Sequence, residues 1–281
     1  MIMKTNSEYK SRVREALAGN YGRVIGPFLM YYVMMNMISA PAGSVWSLGS
    51  LRSGSVSLDS LVSLSFLSTI PLYIISALLS ALFEPGLIKI VFDTVRERRS
   101  GIEDLFYCFT HRPLTVICIN LWILLYTVPA MVLMGAGSLM VVLSETVLSR
   151  QVPFAASIAL FSLTVVLSII WTVYIKLSVS MVWFLYLDGP ERTAGETVRE
   201  SFEMTRGKKL RLLSLYLSYI IYFILGILSC GLAMIWIRPN VTGAVSLFYD
   251  DLKNDPEEKT YVSSSGNESV DYGTYHQDYW N

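Results

Sequence analysis

The sequence has little of the side-chain chemistry on which most enzymes and metal proteins depend. Its 281 residues include only two histidines, His111 and His276, and three cysteines, Cys108, Cys118 and Cys230. The cysteines are far apart, so they form neither a disulfide framework nor a metal-ligand spacing. No H-E-x-x-H, G-x-x-x-x-G-K-S/T or G-x-S-x-G run is present, and no acids pair at a spacing suited to catalysis. Gly135-Ala136-Gly137 lies inside an apolar run and is not a nucleotide loop. A hydrolase working within a bilayer would still need a nucleophile beside a base or a metal. The expectation is a protein that is not an enzyme and that uses no cofactor or metal. Net charge is absent too: 22 basic residues balance 22 acidic ones, leaving no basic excess to bind nucleic acid.

What the chain has in quantity is apolar residues. It is 53% hydrophobic and 16% charged, with a mean hydropathy of +0.49. That is too apolar for a soluble domain of this length, so the bilayer is the expected partner. A hydrocarbon core about 30 Å thick needs about 20 apolar residues in a helix. The apolar tracts give spans near 24–40, 61–83, 114–143, 153–187, 210–229 and 231–249. The third carries Pro129 mid-span. The fourth is too long for one untilted crossing and is expected to continue past the inner surface. The tract from Leu210 to Tyr249 is interrupted at Cys230-Gly231 and at Arg238-Pro239, and dividing it near Ser229–Gly231 gives six spans. Reading Leu210 to Ile237 as one tilted helix gives five. Pro41 to Ser60, rich in Gly and Ser, reads as a flexible loop. Residues 253–281 read as a disordered, acidic, Tyr-rich tail. Ala40-Pro41-Ala42 has the form of a signal-peptide cleavage site, but the long leader before it favours an uncleaved span.

Basic residues set the orientation. Five precede the first span, five stand between the second and third, six lie between the fourth and the start of the fifth, and two follow the sixth. Eighteen of 22 therefore fall on one side, against only Arg52 and Arg150 on the other. Basic residues near span ends are retained in the cytoplasm, which places both termini on the cytoplasmic side of a bacterial cytoplasmic membrane.

The inner segments also resemble one another. Three begin with a hydroxyl residue followed three positions later by Glu: Thr5 with Glu8, Ser100 with Glu103, and Thr193 with Glu196. This is the capping-box pattern that starts a helix. Each then carries an acid eight residues before a base: Glu15 and Arg23, Asp104 and Arg112, Glu200 and Lys208. Apolar residues at helical spacing lie between them, among them Val13 and Leu17, Leu105 and Phe109, Val198, Phe202 and Met204. The fold class implied is an all-α membrane protein: a six-span helical bundle with cytoplasmic interfacial helices, arranged as a three-fold repeat of interfacial helix plus two-span hairpin.

Ionisable groups at membrane depth are costly, so each is a candidate site. Arg238 should face the bundle interior or an aqueous cleft if the last tract is two spans. Glu84-Pro85-Gly86 should break the second span's helix, with Lys89 and Asp93 following at i,i+4 spacing. Lys176 lies near the inner surface, where snorkelling accounts for it. Asn36 and Asn120 suit hydrogen bonds between helices, and Gly22 with Gly26 and Ala77 with Ala81 suit close helix approach.

Finally, a set of residues resembles a bacterial integral membrane family, the domain of unknown function 975. These are Tyr186, Asp188 and Pro190 (Y-x-D-x-P), Glu196, Ser201, Met204, Gly207, Lys208, Gly231, Trp236, Pro239, and Phe248-Tyr249 before Leu252. Earlier matches are Arg14-Glu15-Ala16-Leu17 with Gly19-Asn20, Pro85-Gly86, Asp104-Leu105-Phe106, and Leu121-Trp122 through Val128-Pro129. Ala130 and Asn240 depart from the family's glycine and tyrosine. The resemblance implies a six-span protein of the bacterial cytoplasmic membrane and transfers no site residue. The residues favour a non-enzymatic scaffold or accessory protein that contacts lipids or membrane proteins at its cytoplasmic face. The alternative is a small transporter or channel subunit with a polar site near Arg238, Glu84 and Lys176.

Overall fold

A computed structural model describes residues 5–53, 64–146, 154–189, 191–229 and 231–254. The acidic tail beyond Asn254, Cys230, Arg150, Pro190 and the end of the first outer loop lie outside the described residues. Within them the chain is all helical, with no strand. The helices are α1 (Asn6–Leu17), α2 (Tyr21–Ser53), α3 (Leu64–Val95), α4 (Tyr107–Thr110), α5 (Pro113–Thr146), α6 (Phe154–Ser178), α7 (Val182–Asp188), α8 (Ala194–Met204), α9 (Lys209–Leu217), α10 (Ile220–Leu228) and α11 (Met234–Lys253). A short 3-10 helix, Ile102–Phe106, precedes α4.

Three stretches are long and apolar enough to cross a membrane: Pro71–Val95, Pro113–Ser144 and Ala156–Asp188. A fourth is formed if α9 and α10, bent by 43° at their junction, count as one. These stretches keep much of their apolar surface outward. Only 17% of the most apolar window of Pro113–Ser144 and 11% of that of Ala156–Asp188 is buried. Leu121, Met131, Val132 and Ile170 are all exposed. An outward apolar face of this kind suits hydrocarbon rather than water. The α5 and α6 helices pair closely, with the Trp171 indole donating to the Tyr126 carbonyl at 3.0 Å.

The packed core lies at the opposite, charged end. There α1 contributes Tyr9, Val13 and Leu17, one per turn, all fully buried. They meet Ile90, Val91 and Phe92 of α3, Phe184 and Leu185 of α7, and Val245, Phe248 and Leu252 of α11. A second cluster joins Cys108, Val116, Ile119, Val182, Trp183 and Val198 with Tyr186, whose hydroxyl donates to the His111 carbonyl at 2.9 Å.

Several expectations are corrected. The helix does not break at Glu84-Pro85-Gly86, because α3 runs through Pro85 to Val95. Gly86 is there for proximity: a Cβ would collide with the Leu105 carbonyl oxygen and stand 2.9 Å from that of Asp104. Helix α2 continues past Ala40 to Ser53, where the sequence suggests a loop. In the last tract, Arg238-Pro239 does not interrupt the chain but lies inside α11, while the turn falls at Gly231, within the division read from sequence, with a φ of 88° that is accessible to glycine without strain. Asn36 and Asn120 donate to the Tyr32 and Val116 carbonyls of their own helices. Gly22 and Gly26 would meet nothing within 4 Å if they carried a Cβ, so among the described residues no helix approaches them closely.

The long fourth tract does end in a separate segment. After α6 a turn at Val179–Met181 interrupts the helical hydrogen bonding, and α7 carries the buried residues Val182 to Tyr186. The Val182 amide bonds to Val179 rather than to Ser178, and the Ser201 hydroxyl satisfies the Ser178 carbonyl at 2.6 Å. Two of the expected capping boxes form as read. Thr5 and Glu8 bond reciprocally, as do Thr193 and Glu196. The middle one shifts by one residue: Asp104, not Glu103, accepts from the Gly101 amide at 3.0 Å. Ser100 instead hydrogen-bonds the Thr94 hydroxyl at 2.9 Å.

Candidate functional site: a charged and aromatic cluster joining three helix ends

The ends of α3, α7 and α11 converge through three aromatic rings. Phe92 lies 5.2 Å from Phe184 and 6.0 Å from Tyr249, and Phe184 stacks on Tyr249 at 5.5 Å. Four residues after each ring, about one helical turn, stands a charged residue: Arg96, Asp188 and Lys253. The helical period therefore carries the convergence of the rings into a convergence of charges.

Asp188 is the hub of that second layer. It accepts two bonds from the Arg96 guanidinium, at 2.7 and 3.3 Å. The Lys253 ammonium donates to it at 2.8 Å and the Tyr249 hydroxyl at 3.0 Å. Arg96 also donates to Asp250 at 2.5 Å, and its guanidinium lies 3.8 Å from the centre of the Phe92 ring. The side chains of Arg96 and Asp188 are 19% and 14% exposed. Burial alone would disfavour the charge on Arg96, but the hydrogen bonds from Asp188 and Asp250 outweigh it and hold the guanidinium above its ordinary pKa. Two acids face two bases, and the fork of the guanidinium suits planar, bidentate bonding. The arrangement is suited to clamping three helix ends together, since charge-assisted hydrogen bonds from the ends of α3 and α11 meet on one carboxylate at the end of α7.

A second network flanks the first. Lys89 pairs with Asp93 at 2.9 Å and with Asp104 at 2.5 Å, and it lies 4.9 Å from the centre of the Tyr107 ring. This ties α3 to the 3-10 helix just beyond the close approach at Gly86. Nearby, the Tyr9 hydroxyl donates to Asp251 at 2.7 Å. Burial and that carboxylate push the Tyr9 phenol above its ordinary pKa. Arg192 stands 3.1 Å from Glu200, whose carboxyl is raised mainly by burial, with Arg192 acting in the opposite sense. Burial likewise pushes the Cys108 thiol up to about 12, which disfavours its thiolate.

The residues read as candidate sites from sequence lie elsewhere. Arg238 is exposed on α11, Glu84 on α3 and Lys176 on α6. No hydrogen bond or ion pair among the described residues joins any two of them. The cluster that does form was missed because its members are scattered along the chain. One signal was present: an aromatic residue four positions before a charged one, repeated at Phe92/Arg96, Phe184/Asp188 and Tyr249/Lys253. Asp188 and Tyr249 were also among the residues that carry the family resemblance. Among the described residues, no group of three His, Cys, Asp or Glu could hold a metal ion.

These features define an all-helical protein with three or four stretches suited to crossing a membrane and a charged, packed layer at one end. The chain belongs to the family described as protein of unknown function (DUF975), whose profile matches residues 1–255. No curated protein and no solved structure matches it.

Proposed function

We propose that the protein is a non-enzymatic membrane scaffold or accessory protein, with its charged end in the cytoplasm as the surface that meets partners. The observation that carries this reading is the way the polar helices sit on the span ends. The α1 and α8 helices are anchored by buried faces, Tyr9/Val13/Leu17 and Val198/Ser201/Met204, and present the opposite faces outward. Those outer faces carry mixed charge, with Glu8, Arg12 and Arg14 on α1 and Glu196, Arg199 and Glu203 on α8, all exposed. A surface fixed this rigidly loses little entropy on binding a partner.

In this reading α2 and α11 are also spans, giving six crossings with both termini inside a bacterial cytoplasmic membrane, in keeping with the basic-residue asymmetry. The reading also keeps the three helix-and-hairpin units as a repeat, which the meeting of Phe92, Phe184 and Tyr249 at three helix ends supports. Membrane-impermeant thiol labelling tests the topology: a cysteine at Arg12 or Arg199 should react only after the inner face is opened. Labelling of either from outside refutes it. Cross-linking from the same positions, with mass spectrometry in native-lipid discs, tests the function. A recurrent partner at α1 or α8 supports the scaffold, and exclusively self-contained protein counts against it. The transporter alternative places its polar site at Arg238. Its outward position favours the scaffold, because a substrate site needs the residue to face a cavity.

A further inference from the structure

A cleft of about 330 Å³ opens at the charged end between the α1–α2 turn and the loop after α3. Its lining includes Arg23, Arg98 and Arg99, opposed by Glu15 and Glu97, with Asn20, Thr94 and Ser100 supplying polar side chains. Its volume is at the small end of ligand-binding cavities. Among the described residues these guanidiniums are little engaged elsewhere, with only Arg98 in a long pair to the Lys89 network. Arg98 comes no closer than 3.9 Å to Asp93, and Arg23 and Arg99 have no ion-pair partner among the described residues.

Backbone turns border the cleft on both sides. On one side α3 ends in a reverse turn: the Arg98 amide donates to the Asp93 carbonyl and the Glu97 amide to that of Thr94. Glu97 takes the left-handed conformation that this turn requires, with φ 59°. That turn projects the consecutive residues Arg98 and Arg99 beside Ser100, which the Thr94 hydroxyl fixes. On the other side the first turn of α2 begins at Tyr21, and Arg23 stands two residues in. Two small residues, Ala16 and Ala18, also line the cleft.

We infer that this cleft binds a phosphate-bearing anion, through the guanidiniums of Arg23, Arg98 and Arg99 with the Ser100 hydroxyl and Asn20 as neutral partners. The guanidinium fork matches phosphate oxygens, and the net charge of the five ionised lining side chains is one positive. The anion could be supplied by an anionic lipid headgroup or by a soluble phosphate ester. The lipid source rests on the topology proposed above, which places the cleft at the inner membrane surface. The soluble source does not.

The test uses the full chain with two probes. One is nanodiscs of phosphatidylcholine with and without phosphatidylglycerol, read by native mass spectrometry of retained lipid. The other is glycerol phosphate titrated in neutral detergent, read by thermal shift. Removing two of the three guanidiniums, in Arg98→Gln/Arg99→Gln, should weaken binding on the order of tenfold or more. Arg23→Gln should weaken it severalfold. The charge-matched Arg12→Gln/Arg206→Gln, which changes exposed residues outside the cleft, should leave it within about twofold. Arg98→Lys/Arg99→Lys, which keeps the charge and the fold but loses the fork, should fall between. Selective retention of phosphatidylglycerol, lost in the cleft variants, identifies the lipid source. Saturable binding of glycerol phosphate with the same variant order identifies the soluble one. The inference is overturned if neither probe binds, or if the control variant weakens binding as much as the cleft variants do. Thiol labelling at Arg12 reports topology separately, so a wrong orientation is distinguishable from an empty cleft.

Discussion

Removing the Arg96 side chain should loosen the junction of three helices at once. Arg96→Ala takes the bidentate partner from Asp188 and a partner from Asp250, residues 92 and 154 positions away in the chain. Asp188 keeps Lys253 and Tyr249, so the charge left least compensated is that of Asp250, whose side chain is 26% exposed. Stripping one partner from a buried pair typically costs about 3–5 kcal/mol. Partial exposure here lets water recover some of that, which gives a loss of about 2–4 kcal/mol. For a chain of this size that corresponds to a fall in Tm of roughly 5–12 °C. Differential scanning fluorimetry in mild detergent would measure it. Arg96→Lys should recover part of the loss, because a single ammonium cannot reproduce the fork across two carboxylates. A double-mutant cycle with Asp250→Asn should return a coupling above about 1 kcal/mol. If Arg96→Ala melts within about 1 °C of wild type, the clamp contributes no stability and the reasoning fails.

Three further outcomes follow from individual sites. Gly86→Ala should cost about 1–3 kcal/mol, because the added methyl meets the Leu105 carbonyl oxygen and must push the 3-10 helix off α3; an unchanged melt would contradict that close approach. Glu97→Gly should raise stability by up to about 1 kcal/mol, since a left-handed residue with a side chain is strained and glycine relieves it; a lower Tm would show the strain is compensated. The raised carboxyl of Glu200 means that the folded state binds its proton more tightly than the unfolded chain does. Its contribution is therefore fully present below the unfolded value of about 4.3 and is lost as pH rises through the raised one. The Tm of wild type minus that of Glu200→Gln should thus fall as pH increases from about 4 and level off above the folded value; a difference flat to about pH 8 would refute the burial argument.

Features set by a few neighbouring residues were legible in the sequence. The helix starts at Thr5/Glu8 and Thr193/Glu196 form as read, because a capping box needs only residues within one turn. The third was misplaced by one position, because Ser100 is drawn to Thr94 across the loop and Asp104 takes the capping role. The break at Gly231 was legible from its residue type. The break expected at Pro85-Gly86 was not a break, since proline with glycine marks a helix end only where no neighbour needs the glycine for contact. Here the Leu105 backbone does.

By itself the sequence determined that the chain is helical, that its apolar runs are long enough for a bilayer and that its basic residues cluster in alternate gaps between those runs. Those properties are local or additive along the chain. Only the tertiary structure decided which charges meet. Arg238, Glu84 and Lys176 are conspicuous in their apolar surroundings yet stay apart and exposed. Arg96, unremarked in the sequence, becomes the link between three helix ends. The physical reason is that an ion pair depends on distance in space. Packing the Phe92, Phe184 and Tyr249 rings fixes that distance across more than 150 residues of chain.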